Sequence, residues 1–352
     1  VIILPDIHTE QDVIDIAQRI FESFKTEVIV CDKPIFVTLS LGISIFPNDG
    51  RDAQTLLKRG DSAMYQAKSQ GRNGYAFYNK QIEQKSIRRN THEVILREAI
   101  ATHSFVLHYQ PQVSVQSGKV MGFEVLVRIQ NRELGIVPPN NFIPLAEELG
   151  LIGQIDEWVF ENACAQYDIW KSQGINDIRL SINLSAIQLR SNAVLTKYIH
   201  IMEKYKINPR NIQLEITENA LIDNEDVALE VLTGFKEYGV SIALDDFGTG
   251  YSSLSCINLY PIDTVKIDRS FVSDAIDNKK NQAIIKGTKL IADQLNLNIV
   301  AEGVETLSQF KTIAQLGCHE IQGYYFYKPL PPLTAQSVIV QQVENTGIIE
   351  AL

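Results

Sequence analysis

The sequence predicts an α/β protein in which a (β/α)8 TIM-like barrel follows a smaller α/β region. From residue 104 to about 335, eight strand-like segments mostly alternate with amphipathic helical segments, a rhythm typical of the barrel. The first two strand candidates are joined by only Gln116-Ser117-Gly118, so one antiparallel strand pair interrupts the pattern. With 352 residues, of which 45% are hydrophobic, the chain has enough apolar material for two cores.

The smaller region covers residues 1–80. We expect a strand at its start and then a helix over DVIDIAQRIFESF, where apolar residues recur at helical spacing. Two extended segments, 27–31 and 35–46, are expected to join through a hairpin turn at Asp32-Lys33-Pro34. A second helix follows and ends at Gly71, before a return strand, YAFY. The buried side of this second helix is expected to contain Leu56, Leu57, Met64 and Ala67.

Residues 81–100 are charge-rich and lack proline and glycine, so they predict a helix that joins the small region to a barrel domain over 101–345. The formal net charge of −10 argues against binding to a nucleic acid polymer. No run of about 18 apolar residues occurs, so no membrane contact is expected of this fragment. Four scattered cysteines favour a reduced cytoplasmic compartment, and a chain that opens on Val1 looks cut from a larger, sensor-bearing or membrane-anchored protein.

Polar side chains fall late in the barrel strands. Side chains alternate between strand faces, so in IQLEITE the residue Glu215 lies opposite the apolar face, as does Lys266 in TVKID. The carboxyl ends of barrel strands open onto one mouth, where the polar residues should meet. The predicted mouth set is Glu124, Asn183, Glu215, Asp245, Asp246, Lys266 and Glu302.

So many carboxylates in a partly desolvated mouth would repel one another unless cations bound there. Oxygen ligands without clustered histidine or cysteine favour Mg²⁺ or Mn²⁺ over zinc, and two ions could activate a water for attack on a phosphodiester. Lys266 and Arg128 could help to draw in that anion. Taken singly, each polar residue could instead cap a helix or reach solvent, and Lys266 could be the Schiff-base amine of an aldolase.

The same segments carry a family resemblance. FEVLVR, INLS, LEITE, ALDDFGTGYSSL, VKIDRSF, AEGVE and QGYYFYKPL resemble, in order, the motifs of the EAL family of cyclic di-GMP phosphodiesterases over residues 92–340. Residues 1–80 resemble the C-terminal part of a GGDEF, or diguanylate cyclase, domain. The chain begins after that family's name-giving motif, so this fragment is not expected to make cyclic di-GMP.

The resemblance implies a role for each site residue. Glu124, Asn183, Glu215 and Asp245 are similar to ligands of a first metal ion, with Asp245 bridging to a second ion near Asp246. Lys266 resembles the residue that holds the attacking water, and Glu302 resembles a further ligand; with Glu124 these two form the expected catalytic set. Glu218 resembles an anchor for the loop 246–253. Substrate binding is implied for Gln110, Leu126, Arg128, Asp268, Glu305 and Gln322.

The expected activity is therefore hydrolysis of cyclic di-GMP to linear 5'-pGpG, with Mg²⁺ or Mn²⁺, by a homodimer that pairs through the barrel. The signature reads Glu-Val-Leu here instead of Glu-Ala-Leu, and Val125 should pack away from Glu124 and leave that ligand in place. The alternative from the resemblance is a catalytically inactive cyclic di-GMP receptor or regulatory module.

Overall fold

The computed structural model describes residues 1–25, 27–30, 33–71, 73–221, 224–249 and 253–344. The chain divides into two compact units, Val1–Ile95 and Leu96–Leu352. Each unit has its own secondary structure, and the long helix that begins at Lys80 contains the boundary between them.

The first unit is a small α/β arrangement. Its elements are α1 (Glu10–Ser23), β1 (Val28–Val30), β2 (Lys33–Ile35), β3 (Ser40–Ile43), α2 (Ala53–Ser69), β4 (Gly74–Phe77) and the start of α3 (Lys80–Thr102). Strands β1 and β2 pair antiparallel, and β3 and β4 pair parallel. Helix α1 begins at a capping box, in which the Thr9 side chain accepts from the Asp12 amide and Asp12 accepts from the Thr9 amide.

Four expectations for this unit were wrong. Residues 1–9 form no strand, because Pro5 lacks an amide donor and Asp6 has a φ of 56° that breaks the extended backbone. Lys33 and Pro34 belong to β2 and not to the turn, and the extended segment from residue 35 splits into β2 and β3. Leu57 is 52% exposed, since the buried stripe of α2 runs through Ala63 and Ala67. Cys31 and Asp32 lie outside the described residues.

The second unit contains the barrel. Its strands are β5 (Phe105–Ser114), β6 (Val120–Asn131), β7 (Gly135–Val137), β8 (Arg179–Asn183), β9 (Ile212–Thr217), β10 (Ser241–Phe247), β11 (Thr264–Ile267), β12 (Asn298–Glu302) and β13 (Glu320–Gln322). Its helices after α3 are α4 (Ile143–Glu148), α5 (Ile152–Ser172), α6 (Ala193–Lys204), α7 (Glu225–Tyr238), α8 (Ser253–Leu259), α9 (Arg269–Ser273), α10 (Lys279–Leu295), α11 (Leu307–Gln315) and α12 (Pro332–Glu344).

The strands follow the order β5-β13-β12-β11-β10-β9-β8-β6-β7, and pairing of β5 with β6 closes the barrel. Strand β5 runs antiparallel to β6 and β13, while the other barrel strands pair parallel. The eight predicted strands and the single antiparallel strand are therefore confirmed. The short strand β7 was missed; it forms a hairpin with the last three residues of β6.

The faces of the barrel strands divide the side chains by polarity. Outward-facing residues such as Leu180, Leu214 and Val265 are fully buried. An aromatic cluster closes one side, where the Trp170 ring centroid lies 4.8 Å from Tyr109 and 5.5 Å from Phe123. Each such buried side chain contributes about 1.5 to 3 kcal/mol to folding. The inward faces instead carry polar groups, which places hydrogen-bonding and charged side chains along the barrel axis.

Candidate active site

Lys266 lies at the centre of the mouth formed by the carboxyl ends of the strands. It comes from the third position of β11 and is 1% exposed. Its Nζ atom lies 2.7 Å from carboxylate oxygens of Glu215 and Glu302, and 3.2 Å from Asp245. A fourth carboxylate, Glu124, lies 3.8 Å away. Four strands therefore deliver carboxylates to one buried ammonium group.

The adjacent pair Asp245-Asp246 reaches this mouth through a β-bulge. Leu244 pairs with Val265, but Phe247 pairs with Ile267, so β10 has one residue more than β11 across this stretch. Asp246 is the residue at which the backbone turns, with a φ of 53°. We expected Asp246 to begin a loop, whereas β10 continues through Phe247. The bulge cancels the alternation of side chains, and both carboxylates serve the same site.

A cation-sized group of oxygens results from this bulge. One carboxylate oxygen from each of Asp245, Asp246 and Glu302 lies within 4.8 Å of the other two. Asp245 is buried, while Asp246 and Glu302 are half-buried, so the group faces the open mouth. Carboxylate oxygens at this spacing, with no soft ligand among them, fit a hard divalent cation such as Mg²⁺ or Mn²⁺.

Asn183 and Glu124 form the opposite wall of the mouth. The Asn183 amide donates through Nδ2 to Glu124 Oε1 over 3.1 Å, which leaves Asn183 Oδ1 as the atom that could bind a cation. The substituted signature residue Val125 is 3% exposed, on the strand face away from Glu124. All seven predicted mouth residues are therefore brought to one end of the barrel, and valine leaves Glu124 in place.

Burial and the neighbouring charges shift the pKa values of these groups. Burial raises the pKa of Glu215 to about 8, an effect that Lys266 offsets only in part and that Glu124 and Asp245 increase. Burial likewise raises the pKa of Glu302 well above its ordinary value. For Lys266, burial favours the neutral amine, but the surrounding carboxylates outweigh it and raise the pKa well above the usual value. The ammonium is therefore a fixed positive charge.

Two predicted substrate residues, Gln110 and Gln322, lie beside Glu124. Gln322 donates through Nε2 to Glu124 Oε2 and, over 3.3 Å, to Gln110 Oε1. Gln110 in turn donates to the carbonyl of Tyr327 over 3.4 Å. Both glutamine side chains are buried, so they form one wall of the mouth.

The other predicted substrate residues are spread more widely. Leu126 and Arg128 are half-buried on the same face of β6, and Arg128 NH1 donates to the Val127 carbonyl over 2.8 Å. Asp268 caps α9 through the Ser270 amide at 3.0 Å, and its charge helps to raise the pKa of Asp246 after burial and Asp245. Glu305 has an exposed side chain after β12. These four residues do not belong to the carboxylate group of Asp245, Asp246 and Glu302.

Glu218 holds the segment that follows Asp246. Its carboxylate is buried and accepts from the Gly248 amide over 3.0 Å, as expected for a loop anchor. Gly248 has a φ of 94°, and a side-chain carbon there would lie 2.8 Å from the Phe271 ring. Glycine is therefore required at Gly248 for two reasons, backbone conformation and space. From the sequence, Gly248 and Gly250 could together form a hinge for this loop, and Gly250 lies outside the described residues.

Sequence reasoning missed a second polar layer at the opposite, amino-terminal end of the barrel. Arg179 and Glu320 form an ion pair of 2.5 Å there, and Asn298 donates to Glu320 over 2.7 Å. The signal was present, since Arg179 lies four residues before Asn183 and Glu320 lies two before Gln322, with the same strand parity. They were not predicted because they lie at the start of their strands, whereas the predicted site residues lie late in theirs.

The structure is a (β/α)8 barrel with one antiparallel strand and an acidic mouth at the carboxyl ends of its strands. The profile described as EAL domain matches residues 93–329, and that described as diguanylate cyclase, GGDEF domain, matches residues 1–74. The chain belongs to the EAL domain family, as the motifs indicated, with a GGDEF fragment at residues 1–74.

Named relatives agree with that assignment. Signaling protein YkoW of Bacillus subtilis is 38% identical over 97% of this chain and 43% of its own length. Cyclic di-GMP phosphodiesterase PdeR of Escherichia coli is 36% identical over 84% of this chain and 45% of its own length. The chain thus spans less than half of either relative.

A solved structure of an EAL relative supports the fold. The PaMucR phosphodiesterase in a c-di-GMP complex is 36% identical, with a TM-score of 0.66, over 70% of this chain and 99% of that one. Among the helices of the described residues, none combines the length and the apolar character needed to cross a bilayer.

Proposed function

We propose that the barrel hydrolyses one phosphodiester bond of cyclic di-GMP to give linear 5'-pGpG. One observation carries the proposal: four carboxylates of the described strands lie within 3.8 Å of Lys266 Nζ, and two of them, Asp245 and Glu302, form a group of oxygens with Asp246 that spans no more than 4.8 Å. Relatives and structural neighbours named for cyclic di-GMP supply the substrate class.

The residues that would hold Mg²⁺ or Mn²⁺ are those whose oxygens meet in the mouth. We assign two ions to Glu124, Asn183, Glu215, Asp245, Asp246 and Glu302. Ions bound there supply positive charge for the phosphate oxygens and lower the pKa of a bound water. The excess of carboxylates over Lys266 supports this assignment, since buried negative charges without cations are unfavourable.

The protein's own groups would position and relay protons. Lys266 is a donor-only ammonium, held by Glu215 and Glu302, that can orient the attacking water. Glu302 lies 2.7 Å from Lys266 Nζ, so its carboxylate would stand beside the water that Lys266 orients and could accept the proton that this water loses. The water oxygen forms a bond to phosphorus, the bond from phosphorus to the 3' oxygen breaks, and that oxygen gains a proton.

Substrate contacts would come from the rim of the mouth. We assign them to Gln110, Leu126, Arg128, Asp268, Glu305 and Gln322. Arg128 adds a half-buried cation beside an acidic site, which suits a phosphate oxygen. Glu218 would order the segment after Asp246 through the Gly248 amide.

The domain boundaries are also part of the proposal. We assign residues 1–80 to a partial GGDEF-like domain without its signature motif, 81–100 to a joining helix and 101–345 to the phosphodiesterase barrel. A homodimer through the barrel is proposed as well, and light scattering of the chain with and without cyclic di-GMP tests it by giving one or two copies.

The deciding experiment incubates cyclic di-GMP with the chain in Mg²⁺, in Mn²⁺ or in EDTA, and separates the nucleotides by chromatography. We expect linear pGpG with either metal and none in EDTA, and none from Glu124→Ala or Lys266→Ala. A matched control is Ser337→Ala, an exposed position on α12 outside the mouth. Tight nucleotide binding without any product in either metal would contradict the enzyme assignment and support a receptor.

A further inference from the structure

A continuous row of hydrogen bonds connects the ion pair at the base of the barrel to Glu124 in the mouth. Arg179 NH2 donates to Gln112 Oε1 over 2.8 Å. Gln112 Nε2 donates to Gln322 Oε1 over 3.0 Å, and Gln322 Nε2 donates to Glu124 Oε2. We call this row, Arg179-Gln112-Gln322-Glu124, the amide relay.

The chemistry of its two ends fixes the direction of the relay. A guanidinium group can only donate hydrogen bonds, and an ionised carboxylate can only accept them. Arg179 must therefore face the oxygen of the Gln112 amide, which turns the Gln112 NH₂ group toward Gln322. Gln322 must in turn present its own NH₂ group to Glu124. Each amide has one arrangement that satisfies both of its neighbours.

The barrel interior is built to keep this row in place. Gln112 is fully buried and Gln322 is 5% exposed, so water cannot easily substitute for a lost partner. Glu320 binds Arg179 at 2.5 Å and holds it at the base. Gly122 lies beside Arg179, and a side-chain carbon there would stand 2.7 Å from the Arg179 carbonyl oxygen and 3.3 Å from its Nε.

We propose that Gln112, oriented by Arg179, is a positioning residue for the metal site, because it turns the Gln322 amide so that Glu124 receives a hydrogen-bond donor. This inference rests on the proposed function, in which Glu124 is a metal ligand. Gln112 itself touches neither metal nor substrate and acts through Gln322. Groups of this kind that orient a metal ligand typically change metal affinity about 10-fold to 100-fold when they are replaced.

The chain offers a matched control in Gln213. It is also an inward-facing glutamine, 2% exposed, but it bonds to two hydroxyl groups, Ser181 Oγ at 2.9 Å and Thr264 Oγ1 at 2.8 Å. A hydroxyl can rotate to become a donor or an acceptor, so these partners can adapt to a carboxylate. If residue 112 became a carboxylate, Gln322 could donate to it only by turning its own amide oxygen toward Glu124.

The test compares Gln112→Glu with Gln213→Glu. The first introduces a carboxylate next to Arg179, so it should cost little stability, but it reverses the Gln322 amide against Glu124. We expect its dissociation constant for Mn²⁺, measured by calorimetry, to rise about 10-fold to 100-fold. Gln213→Glu buries a carboxylate without a cation and should lower the melting temperature in EDTA more, yet keep the Mn²⁺ affinity close to wild type.

The variants Gln112→Met and Gln213→Met repeat the comparison without a new charge, in case a carboxylate prevents folding. Again only the Gln112 variant should bind Mn²⁺ more weakly. Equal Mn²⁺ affinities in the two members of both pairs would overturn the proposal. A wild-type chain that binds Mn²⁺ but does not cleave cyclic di-GMP would contradict the proposed function alone, since the affinity comparison still decides the role of Gln112.

Discussion

The two ends of the barrel interior handle buried charge in opposite ways. At the base, Arg179 and Glu320 pair one to one, and Asn298 supplies Glu320 with a further donor. At the mouth, among the described residues, four carboxylates lie within 3.8 Å of Lys266 Nζ, and Asp246 adds a fifth beside Asp245 and Glu302. The base is balanced within the chain, whereas the mouth has more carboxylates than cationic side chains and needs bound cations or protons. This difference separates a structural ion pair from the proposed metal site, although both use the same residue types.

The largest expected effect comes from removing one carboxylate at each end. Glu215→Gln should lower the rate of cyclic di-GMP hydrolysis by more than about 100-fold, because it removes a proposed metal ligand. Its unfolding free energy in EDTA should not fall, since repulsion in the mouth decreases while Lys266 keeps an oxygen partner. Urea denaturation and a product assay measure the two quantities.

Glu320→Gln at the base should show the reverse. It leaves the partly buried Arg179 guanidinium without its counter-ion, which should cost about 3 kcal/mol of unfolding free energy, the lower end of the cost of breaking a buried ion pair. The folded fraction should keep most of its hydrolytic rate. If the mouth variant lost more stability than the base variant, the proposed contrast between the two ends would be wrong.

Cation binding should stabilise the wild-type chain. At a free Mn²⁺ concentration one hundred times the dissociation constant, the unfolding free energy should rise over its value in EDTA by about 2.7 kcal/mol for each bound ion. Asp245→Asn should lose most of that gain because Asp245 belongs to the oxygen group at the bulge. Thermal unfolding with and without Mn²⁺ measures the gain, and an equal gain in Asp245→Asn would place the ion elsewhere.

Much of the fold followed from sequence because the barrel repeats one simple rule. Alternation of side chains, as in IQLEITE, placed Glu215 inside and its neighbours outside, and the structure confirms all eight strands. The rule fails where a strand gains a residue, so the bulge that turns Asp246 into the mouth had no signal that distinguished it from a loop. A short apolar run at the start of the chain also predicted a strand, but residues 1–9 form none.

The sequence predicted which residues meet in the mouth better than it predicted the hydrogen bonds between them. Late polar residues on separate strands identified the ligand candidates, because parallel strands end at one mouth. Hydrogen bonds between strands depend on register and on side-chain direction, which no single segment encodes. The row from Arg179 through Gln112 to Gln322 could therefore be seen only once β5, β8 and β13 were placed together.

A buried carboxyl group on α5 extends the comparison, because a proton and not a cation neutralises it. Asp156 on α5 accepts a hydrogen bond from Ser185, and burial raises its pKa to about 7. The folded chain then holds one proton more than the unfolded chain between about pH 4 and pH 7. The stability from this group is full below about pH 4 and is lost as the pH rises through 7.

Asp156→Asn should remove that part of the pH dependence. Between pH 5 and pH 8, in EDTA, the wild type should lose about 2 kcal/mol more unfolding free energy than the variant. Urea denaturation at the two pH values gives the difference, and parallel curves for the two proteins would show that Asp156 stays ionised.

The smallest expected effect concerns the segment after the bulge. Gly248→Ala should cost about 1 to 2 kcal/mol of stability, because it combines a positive φ with a contact to Phe271. We expect a few-fold loss of hydrolytic rate with unchanged Mn²⁺ affinity. Gly174→Ala is the matched control, since its φ is 88° but nothing lies within 4 Å of the added carbon. An equal loss of rate in both variants would remove the special role of Gly248.

The most direct test of the central claim is a calorimetric titration of Mn²⁺ into the wild-type chain, Glu215→Gln and Glu320→Gln at one pH. We expect two bound ions in the wild type and in folded Glu320→Gln, and weaker or fewer ions in Glu215→Gln. Equal Mn²⁺ binding in Glu215→Gln and the wild type would contradict the claim that the excess carboxylates of the mouth form the metal site.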